Sequence, residues 1–543
     1  MGVGWNLGNT LDASKTNVKD PANDNYWYNQ GLGSENYWGQ PNTKKELMKM
    51  MKEAGFGAIR VPVTWYNHMD KSGKVDATWM KRVHEIVDYV IDNGMYCIIN
   101  VHHDTGADSD SHISWIKADE QNYNNNKERY EYLWKQIAEE FKDYDKHLLF
   151  EGYNEMLDTK SSWCFASFNT SSYDASLAAS AYNGLNGYAQ SFVNAVRATG
   201  GNNESRNLIV NTYAAANGYG TWNTHLKDVL TKLNIPEDKV SGHLAVEVHD
   251  YPNLTNNNAN RTISDIKGQV NGTIKVLKDN IISKGIPVII GEWGTSNVDA
   301  GAGKTDYDVR RDLMFQFVDY YVKQAKANDI ATFYWMGLTD GFYREGPSFH
   351  QADLAEKITK AYHGDDFKGV YPKPENATSY ICFEGDKMLD WGNAITIPAE
   401  IFKSVGDKAQ LELTYKLEIS DYDDIQLCKG GDWAKINFKV DNKSFTGDLN
   451  PKSYYKTTNG KTLTTVFTFD NTTYNTLSQS GLIIQGHGIR LYKAVLFDPS
   501  ATGIEHAMVD NTHNDGIYNL AGQRVKNITK GLYIKNGKKF IVR

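Results

Sequence analysis

Leu148-Leu149-Phe150-Glu151-Gly152-Tyr153-Asn154-Glu155 starts apolar and turns polar at its carboxyl end, and Pro287-Val288-Ile289-Ile290-Gly291-Glu292-Trp293-Gly294 repeats the pattern. A short run that is apolar on both alternating faces reads as a strand buried on both sides, as in parallel sheets covered by helices. Six further runs share this character: Val3 to Gly8, Ala58 to Trp65, Tyr96 to His103, Asn207 to Tyr213, Leu244 to Tyr251 and Ala331 to Leu338. Between them lie helical periodicities at Thr43 to Ala54, Ala77 to Asp92, Lys127 to Phe141, Tyr182 to Thr199, Ile263 to Ser283 and Asp308 to Ala327. Eight strand-helix units predict an α/β fold, a (β/α)8 TIM barrel over residues 1–365, whose polar strand ends fall where barrel enzymes place their active sites.

The character changes near Gly364. Tyr371-Pro372-Lys373-Pro374 reads as a stiff connector within a linker at 366–378. From 379 to 499 short alternating segments predict an all-β jelly-roll sandwich, with strands at Gln410 to Leu417, Trp433 to Val440, Leu463 to Phe469, Gly481 to Gln485 and Ile489 to Phe497. Residues 500–543 form a short, basic, β-rich tail, too small to hold much of a core. A chain of 543 residues is expected to divide in this way, because single cores stop growing near roughly 250 to 300 residues.

A net charge of -8 without a long basic run argues against nucleic acid or an anionic membrane surface as partner. Aromatic residues make up 12% of the chain, and flat rings with polar edges suit the faces of sugars, although large folds also use them for packing. Four cysteines (Cys97, Cys164, Cys382, Cys428) are too few for a disulfide framework and lack the spacing of a zinc site. No apolar run is long enough to span a membrane. The first residues enter structure at once, so a signal peptide, if the protein is secreted, was removed before this numbering begins.

Five carboxylates end the predicted strands: Glu151, Glu155, Glu247, Asp250 and Glu292. Two carboxylates flanking a glycosidic bond suffice to cleave it without a cofactor. Spacing alone does not choose among the five. Glu155 and Glu292 end their runs, whereas Glu151 and Glu247 sit deeper, where a carboxylate is more often a hydrogen-bonded part of the barrel interior. His102-His103-Asp104 suggests metal ligation, but adjacent strand residues face opposite sides, so no metal and no cofactor are expected. Asp421-Tyr422-Asp423-Asp424 is read as a solvated loop before a calcium site.

Gly4-Trp5-Asn6-Leu7-Gly8-Asn9-Thr10-Leu11-Asp12, Ile59-Arg60-Val61-Pro62-Val63-Thr64-Trp65, Ile99-Asn100-Val101-His102-His103-Asp104, Tyr153-Asn154-Glu155, Val248-His249-Asp250-Tyr251, Ile290-Gly291-Glu292-Trp293-Gly294 and the Trp335 run stand in one order. Through these segments the first domain resembles glycoside hydrolase family 5, most closely its cellulase and xyloglucanase branch. The resemblance implies that Glu155 is the acid/base and Glu292 the nucleophile of a retaining, endo-acting reaction on β-1,4-linked glucan. It further implies that Asn154 holds the sugar 2-hydroxyl, and that Arg60 and Tyr251 contact Glu292. His249 would lie near Glu155, His102 would orient hydroxyls, and Trp335 would form the sugar platform. Without the resemblance, Arg60 reads equally as an interior ion-pair partner and Trp335 as a barrel-filling ring.

Substrate is less fixed. Phe333-Tyr334-Trp335-Met336-Gly337-Leu338-Thr339-Asp340-Gly341 departs from relatives that carry a second Trp and an Asp-Asn pair. Long loops, Asn17 to Gly39 and Asp158 to Tyr182, are expected to wall an open groove, with some of Trp27, Trp38, Trp65, Trp115, Trp163, Trp222 and Trp293 lining it. Xyloglucan and mannan hydrolysis, and a glucan-binding scaffold without catalysis, are the alternatives. The sandwich resembles a carbohydrate-binding module, with Trp391, Trp433, Tyr454 and Tyr455 as candidate stacking residues, the alternative being core or turn aromatics. The tail resembles the sorting segments of secreted Bacteroidetes proteins. A secreted or cell-surface bacterial monomer acting on polysaccharide is the resulting expectation.

Overall fold

A computed structural model of the chain describes residues 1–15, 30–109, 113–162, 173–256, 259–296, 305–373, 379–390, 393–418 and 422–499, with the backbone of three strands between 517 and 542. Eight parallel strands close into a barrel: β1 (Val3–Asn6), β2 (Ala58–Val61), β3 (Tyr96–Asn100), β4 (Leu148–Glu151), β5 (Leu208–Ala216), β6 (Leu244–Asp250), β7 (Val288–Trp293) and β8 (Ala331–Tyr334). Each follows its predecessor around the ring, and β8 pairs with β1 in parallel, Gly4 opposite Phe333. The strands stop where the apolar residues stop. β3 ends at Asn100 and β4 at Glu151, so His102 and Glu155 stand in turns beyond the strands rather than on them, and Trp335 likewise follows β8.

The strands are buried on both faces, as their runs require. Val3, Ile59, Cys97, Ile99, Phe150, Val210, Val246 and Ile290 join the large core between barrel and helices, while Ala58, Ile98, Leu149, Ile209, Ala245, Ile289 and Phe333 fill the barrel interior as a separate cluster. Helices Lys45–Ala54, Ala77–Ile91, Glu120–Glu140, Ala175–Arg197, Ile263–Asn280, Arg311–Ala327 and Ala352–His363 cover the outside, and the β5 to β6 connection carries only the short helix Asp228–Thr231. Asp76, Asp119, Asp174 and Thr262 cap four of them by accepting backbone N–H groups, which fixes where each begins.

Beyond the barrel lie two antiparallel sheets. The larger, in spatial order, joins Ser379–Leu389, Ile489–Phe497, Gln410–Leu417, Thr462–Thr468, Asn437–Val440 and Lys443–Thr446; the smaller joins Ile395–Ile397, Leu482–His487, Asp424–Lys429 and Asp448–Leu449. Strict alternation along Gln410–Leu417, with Leu411, Leu413, Tyr415 and Leu417 buried, shows why it was legible as a half-buried strand. The predicted strand from Trp433 begins only at Asn437, because Trp433 takes a left-handed backbone, φ 59°, in the preceding turn. The tail carries a three-stranded antiparallel sheet from Ile517–Asn519, Gly531–Lys535 and Lys538–Val542.

The sandwich is seated on the barrel. Phe342 and Tyr343, just after β8, belong to the sandwich core with Tyr380 and Phe383, and Lys44 of the barrel lies 3.8 Å from Glu384 of the sandwich. No helix of the described residues is long and apolar enough to cross a membrane.

Candidate active site

Arg60, at the inner end of β2, is fully buried beneath the barrel mouth. Its guanidinium donates from Nε and Nη2 to Glu151 at 2.7 and 2.8 Å, from Nη2 to Asn154 Oδ1 at 2.8 Å, and from Nη1 to Glu292 Oε1 at 2.9 Å and Asn6 Oδ1 at 3.0 Å. Glu247 Oε1 lies 3.3 Å from Nε. One cation therefore meets three carboxylates, and although burial alone would weaken its charge, Glu151, Glu247 and Glu292 raise its pKa well above the ordinary value. Gly291 makes this possible: a Cβ there would stand 1.8 Å from Glu247 Oε1.

The carboxylate of Glu292 is held at both oxygens, Oε1 by Arg60 and Oε2 by the Tyr251 hydroxyl at 2.7 Å. Burial and the neighbouring Glu292 together push the Tyr251 phenol well above its usual pKa, so it stays a donor. His249 Nδ1 donates to Glu155 Oε1 at 2.8 Å and lies 3.5 Å from Glu292 Oε2, while Nε2 faces Glu247 Oε1 at 3.4 Å. Burial works against its charge, but Glu292, Glu155 and Glu247 outweigh it and push the imidazole up to about 10. A ring nitrogen of His249 and one oxygen each of Glu155 and Glu292 all lie within 4.8 Å of one another.

Asn100 Nδ2 lies 3.0 Å from His102 Nδ1, while His102 Nε2 lies 3.5 Å from Asn154 Nδ2 and 4.0 Å from Glu292 Oε1. The Trp335 indole is nearly parallel to His102, at 7° with centroids 6.0 Å apart, and its ring occupies the space a side chain at Gly8 would need. The eight predicted site residues, Arg60, His102, Asn154, Glu155, His249, Tyr251, Glu292 and Trp335, are thus brought to one end of the barrel.

Of the other carboxylates, Glu151 and Glu247 lie under Arg60, and Asp250 turns away to accept from Tyr321 and Asn217 at 2.9 and 2.8 Å. Asn6, Asn100 and Asn211 were not singled out, yet Asn6 accepts from Arg60 and the other two donate to Glu151 at 3.0 and 3.2 Å. Their signal was available: each is an amide ending or interrupting an apolar run, where an unpaired polar group would be costly.

Trp65, Trp115 and Trp293 are buried packing residues, Trp65 Nε1 donating to Asn100 O and Trp115 Nε1 to Asp104, whereas Trp222 is 56% exposed; Trp27 and Trp163 lie outside the described residues. One expectation needs correction: His102 and His103 do not alternate across a strand, because both stand past the end of β3, and ligand atoms of Asp12, His102 and His103 converge within 4.8 Å. Among the described residues, that trio and Glu155, His249 and Glu292 are the sets whose geometry a cation would find; the second is internally hydrogen-bonded by His249.

In the sandwich, Asp423 caps the helix Pro451–Tyr455 through Lys452 N at 2.8 Å, a structural use in place of a solvated loop, and Asp421 lies outside the described residues. Tyr454 and Tyr455 spend their hydroxyls on Asp441 and Thr465, Trp433 is 49% exposed, and Trp391 lies outside the described residues. Cys97, Cys382 and Cys428 are free and buried; Cys164 lies outside the described residues.

A closed (β/α)8 barrel with two glutamates close together at its carboxyl-terminal mouth is an architecture that suits glycoside hydrolysis. The chain belongs to glycoside hydrolase family 5: the family profile, described as cellulase (glycosyl hydrolase family 5), matches residues 11–339. Endoglucanase B of Neocallimastix patriciarum is 36% identical over 350 residues, 63% of this chain and 64% of that protein. Endoglucanase A of Clostridium longisporum is 32% identical over 376 residues, 68% of this chain and 63% of that protein, so the chain spans less than two thirds of either relative. Among solved structures, a GH5-4 broad specificity endoglucanase from an uncultured bacterium is 64% identical, with a TM-score of 0.62, over 67% of this chain and 94% of that one. A family 5 enzyme from Prevotella bryantii B14 is 42% identical, TM-score 0.56, over 67% and 96%; a mutant of it was solved with a xyloglucan tetradecasaccharide.

Proposed function

We propose that the protein is a retaining, endo-acting β-1,4-glucanase in which Glu292 is the nucleophile and Glu155 the acid/base. The observation that carries this reading is the closeness of the two carboxylates, within 4.8 Å through their nearest donor atoms. Retaining enzymes hold their carboxyl groups ~5 to 5.5 Å apart, whereas inverting ones leave room for a water.

Glu292 attacks the anomeric carbon as Glu155 gives its proton to the glycosidic oxygen; the carbon-oxygen bond breaks and a glycosyl ester forms. Water then attacks the same carbon while Glu155 takes its proton, and the bond to Glu292 breaks. Arg60 and Tyr251 fix both oxygens of Glu292, and the charged His249 orients Glu155. Asn154, whose oxygen is taken by Arg60, presents its amide N–H to the 2-hydroxyl, and Trp335 lies under the sugar.

A cavity of about 1,380 Å³ opens from Glu155 along Tyr219, Trp222, Asn253 and Gln269. Its size and open form support a chain lying through the site rather than ending in it. The names of the relatives, broad specificity endoglucanase and lichenase among them, favour glucans; the xyloglucan-bound relative makes xyloglucan the second reading. We assign residues 1–365 to catalysis, 366–378 to the linker, 379–499 to carbohydrate binding and 500–543 to export in a secreted or cell-surface monomer. Following the anomer released from cellohexaose by NMR tests the mechanism, and a first product of inverted configuration defeats it. Comparing rates on carboxymethyl cellulose, lichenan, xyloglucan and mannan tests the substrate, with dominant mannan cleavage the contrary result.

A further inference from the structure

The barrel and the sandwich enclose a cavity of about 420 Å³ between them, lined by Asn9, Trp38 and Asp340 from the barrel and Phe383, Lys387 and Thr396 from the sandwich. It adjoins the catalytic mouth. Asn9 follows Gly8, against which Trp335 lies, and the Trp38 ring packs edge-on to His103 at 5.2 Å. The seam is fixed in place by the sandwich core, which takes in Phe342 and Tyr343, and by Lys44, which reaches both Glu345 and Glu384.

Lys387 is the telling residue. It is only 7% exposed, its side chain makes no hydrogen bond or ion pair among the described residues, and burial with nearby Lys15 lowers its pKa to about 8 against the pull of Asp390. Its stem is packed away while the residue lines the cavity, where its ammonium can donate to an acceptor that enters. The opposite wall carries Asp340, whose carboxylate would repel an acidic ligand and which already accepts from Gln40 Nε2. A donor, a carboxylate and an amide around two aromatic rings match a neutral, hydroxyl-rich ligand.

Direction follows from the proposed chemistry, on which this inference rests. Glu155 protonates the departing part of the chain, and the large cavity it opens into lies on the β5 and β6 side. The part that stays on Glu292 must leave by the other side, past Trp335 toward β1 and the seam. We propose that the seam is a distal binding site for the non-reducing side of a neutral β-glucan chain, completed by Lys387, Phe383 and Thr396 of the sandwich. The second domain then takes part in chain-length selection at the catalytic cleft, whatever it binds elsewhere.

The test compares the full chain with Lys387→Met and Thr396→Arg by kcat/KM on cellotriose and cellohexaose. Lys387→Met keeps the packed stem and removes only the ammonium, so its melting temperature is expected to hold; Thr396 is exposed on the cavity rim, so an arginine there obstructs the seam without entering a core. The ratio of cellohexaose to cellotriose kcat/KM is expected to fall about tenfold in both, the worth of one hydrogen bond to a charged group. An unchanged ratio in both folded variants overturns the seam site while leaving the glucanase reading intact. A wild-type chain that cuts neither oligosaccharide overturns the glucanase reading and this site with it.

Discussion

Arg60 Nη1 meets Glu292 Oε1 at 2.9 Å across the barrel, from β2 to β7, with β1 and β8 between them. The same guanidinium holds Asn154 and Glu151 through its other nitrogens, so the proposed nucleophile and the residue facing the sugar hydroxyl share one rigid support.

Lysine cannot reproduce that fork, since it offers a point charge on a flexible stem. Arg60→Lys is expected to lower kcat on soluble glucan by about 100-fold or more, the usual effect of losing a preorganised donor. Breaking a buried ion pair also costs roughly 3 to 5 kcal/mol of stability, so the melting temperature should fall as well. Initial rates and thermal melts decide this, and near-normal turnover would remove the fork from the account.

Glu155 and Glu292 should fail differently. An acid is needed only when the leaving group is poor, so Glu155→Ala should lose about 100-fold or more on glucan and far less on an aryl glycoside with an acidic phenol. Glu292→Gln should be inactive on both while still binding glucan. Equal losses for the two variants on the two substrates would reverse or erase the assignment.

The barrel was legible because each strand announces itself twice, by an apolar run and by a polar residue where it meets the mouth. LLFE and VIIGEW do both. Strand ends were less legible: the runs continue to His103 and Glu155, but the backbone leaves the sheet at Asn100 and Glu151 to let the turns aim those side chains. An aromatic beside a strand end reads alike whether it lines the cleft or seals the core, so which tryptophans line the groove is not legible in the sequence; Trp65 and Trp293 seal the core. The seam at Lys387 and Asp340 could not be read, as it depends on how two domains pack.

His249 gives a pH signature. Its folded pKa of about 10 stands above the ordinary value of ~6.5, so the stability gained from Glu155, Glu247 and Glu292 is fully present below ~6.5 and is lost as pH rises through about 10. The melting-temperature gap between wild type and His249→Gln should be widest near pH 6, on the order of 5 °C, and shrink toward pH 10. A gap that stays constant across melts at pH 6, 8 and 10 would mean the imidazole is neutral throughout.

Trp222 makes the last case, because it separates binding from chemistry. It is 56% exposed on the wall of the large cavity that opens from Glu155, on the side where the departing chain would lie. An exposed indole there gains by stacking on a sugar face, and stacking of this kind is worth about 0.5 to 1.5 kcal/mol. Its ring lies over Gly220 beside Leu226, and no hydrogen bond described for Glu155 or Glu292 involves it, so its removal is expected to leave the reacting geometry alone. Trp222→Ala should therefore raise KM for cellohexaose roughly threefold to tenfold with kcat changed less than about twofold. The effect should vanish on an aryl cellobioside, whose leaving group is too short to reach the ring. If kcat falls instead, the indole shapes the transition state and the cavity wall belongs to the catalytic machinery.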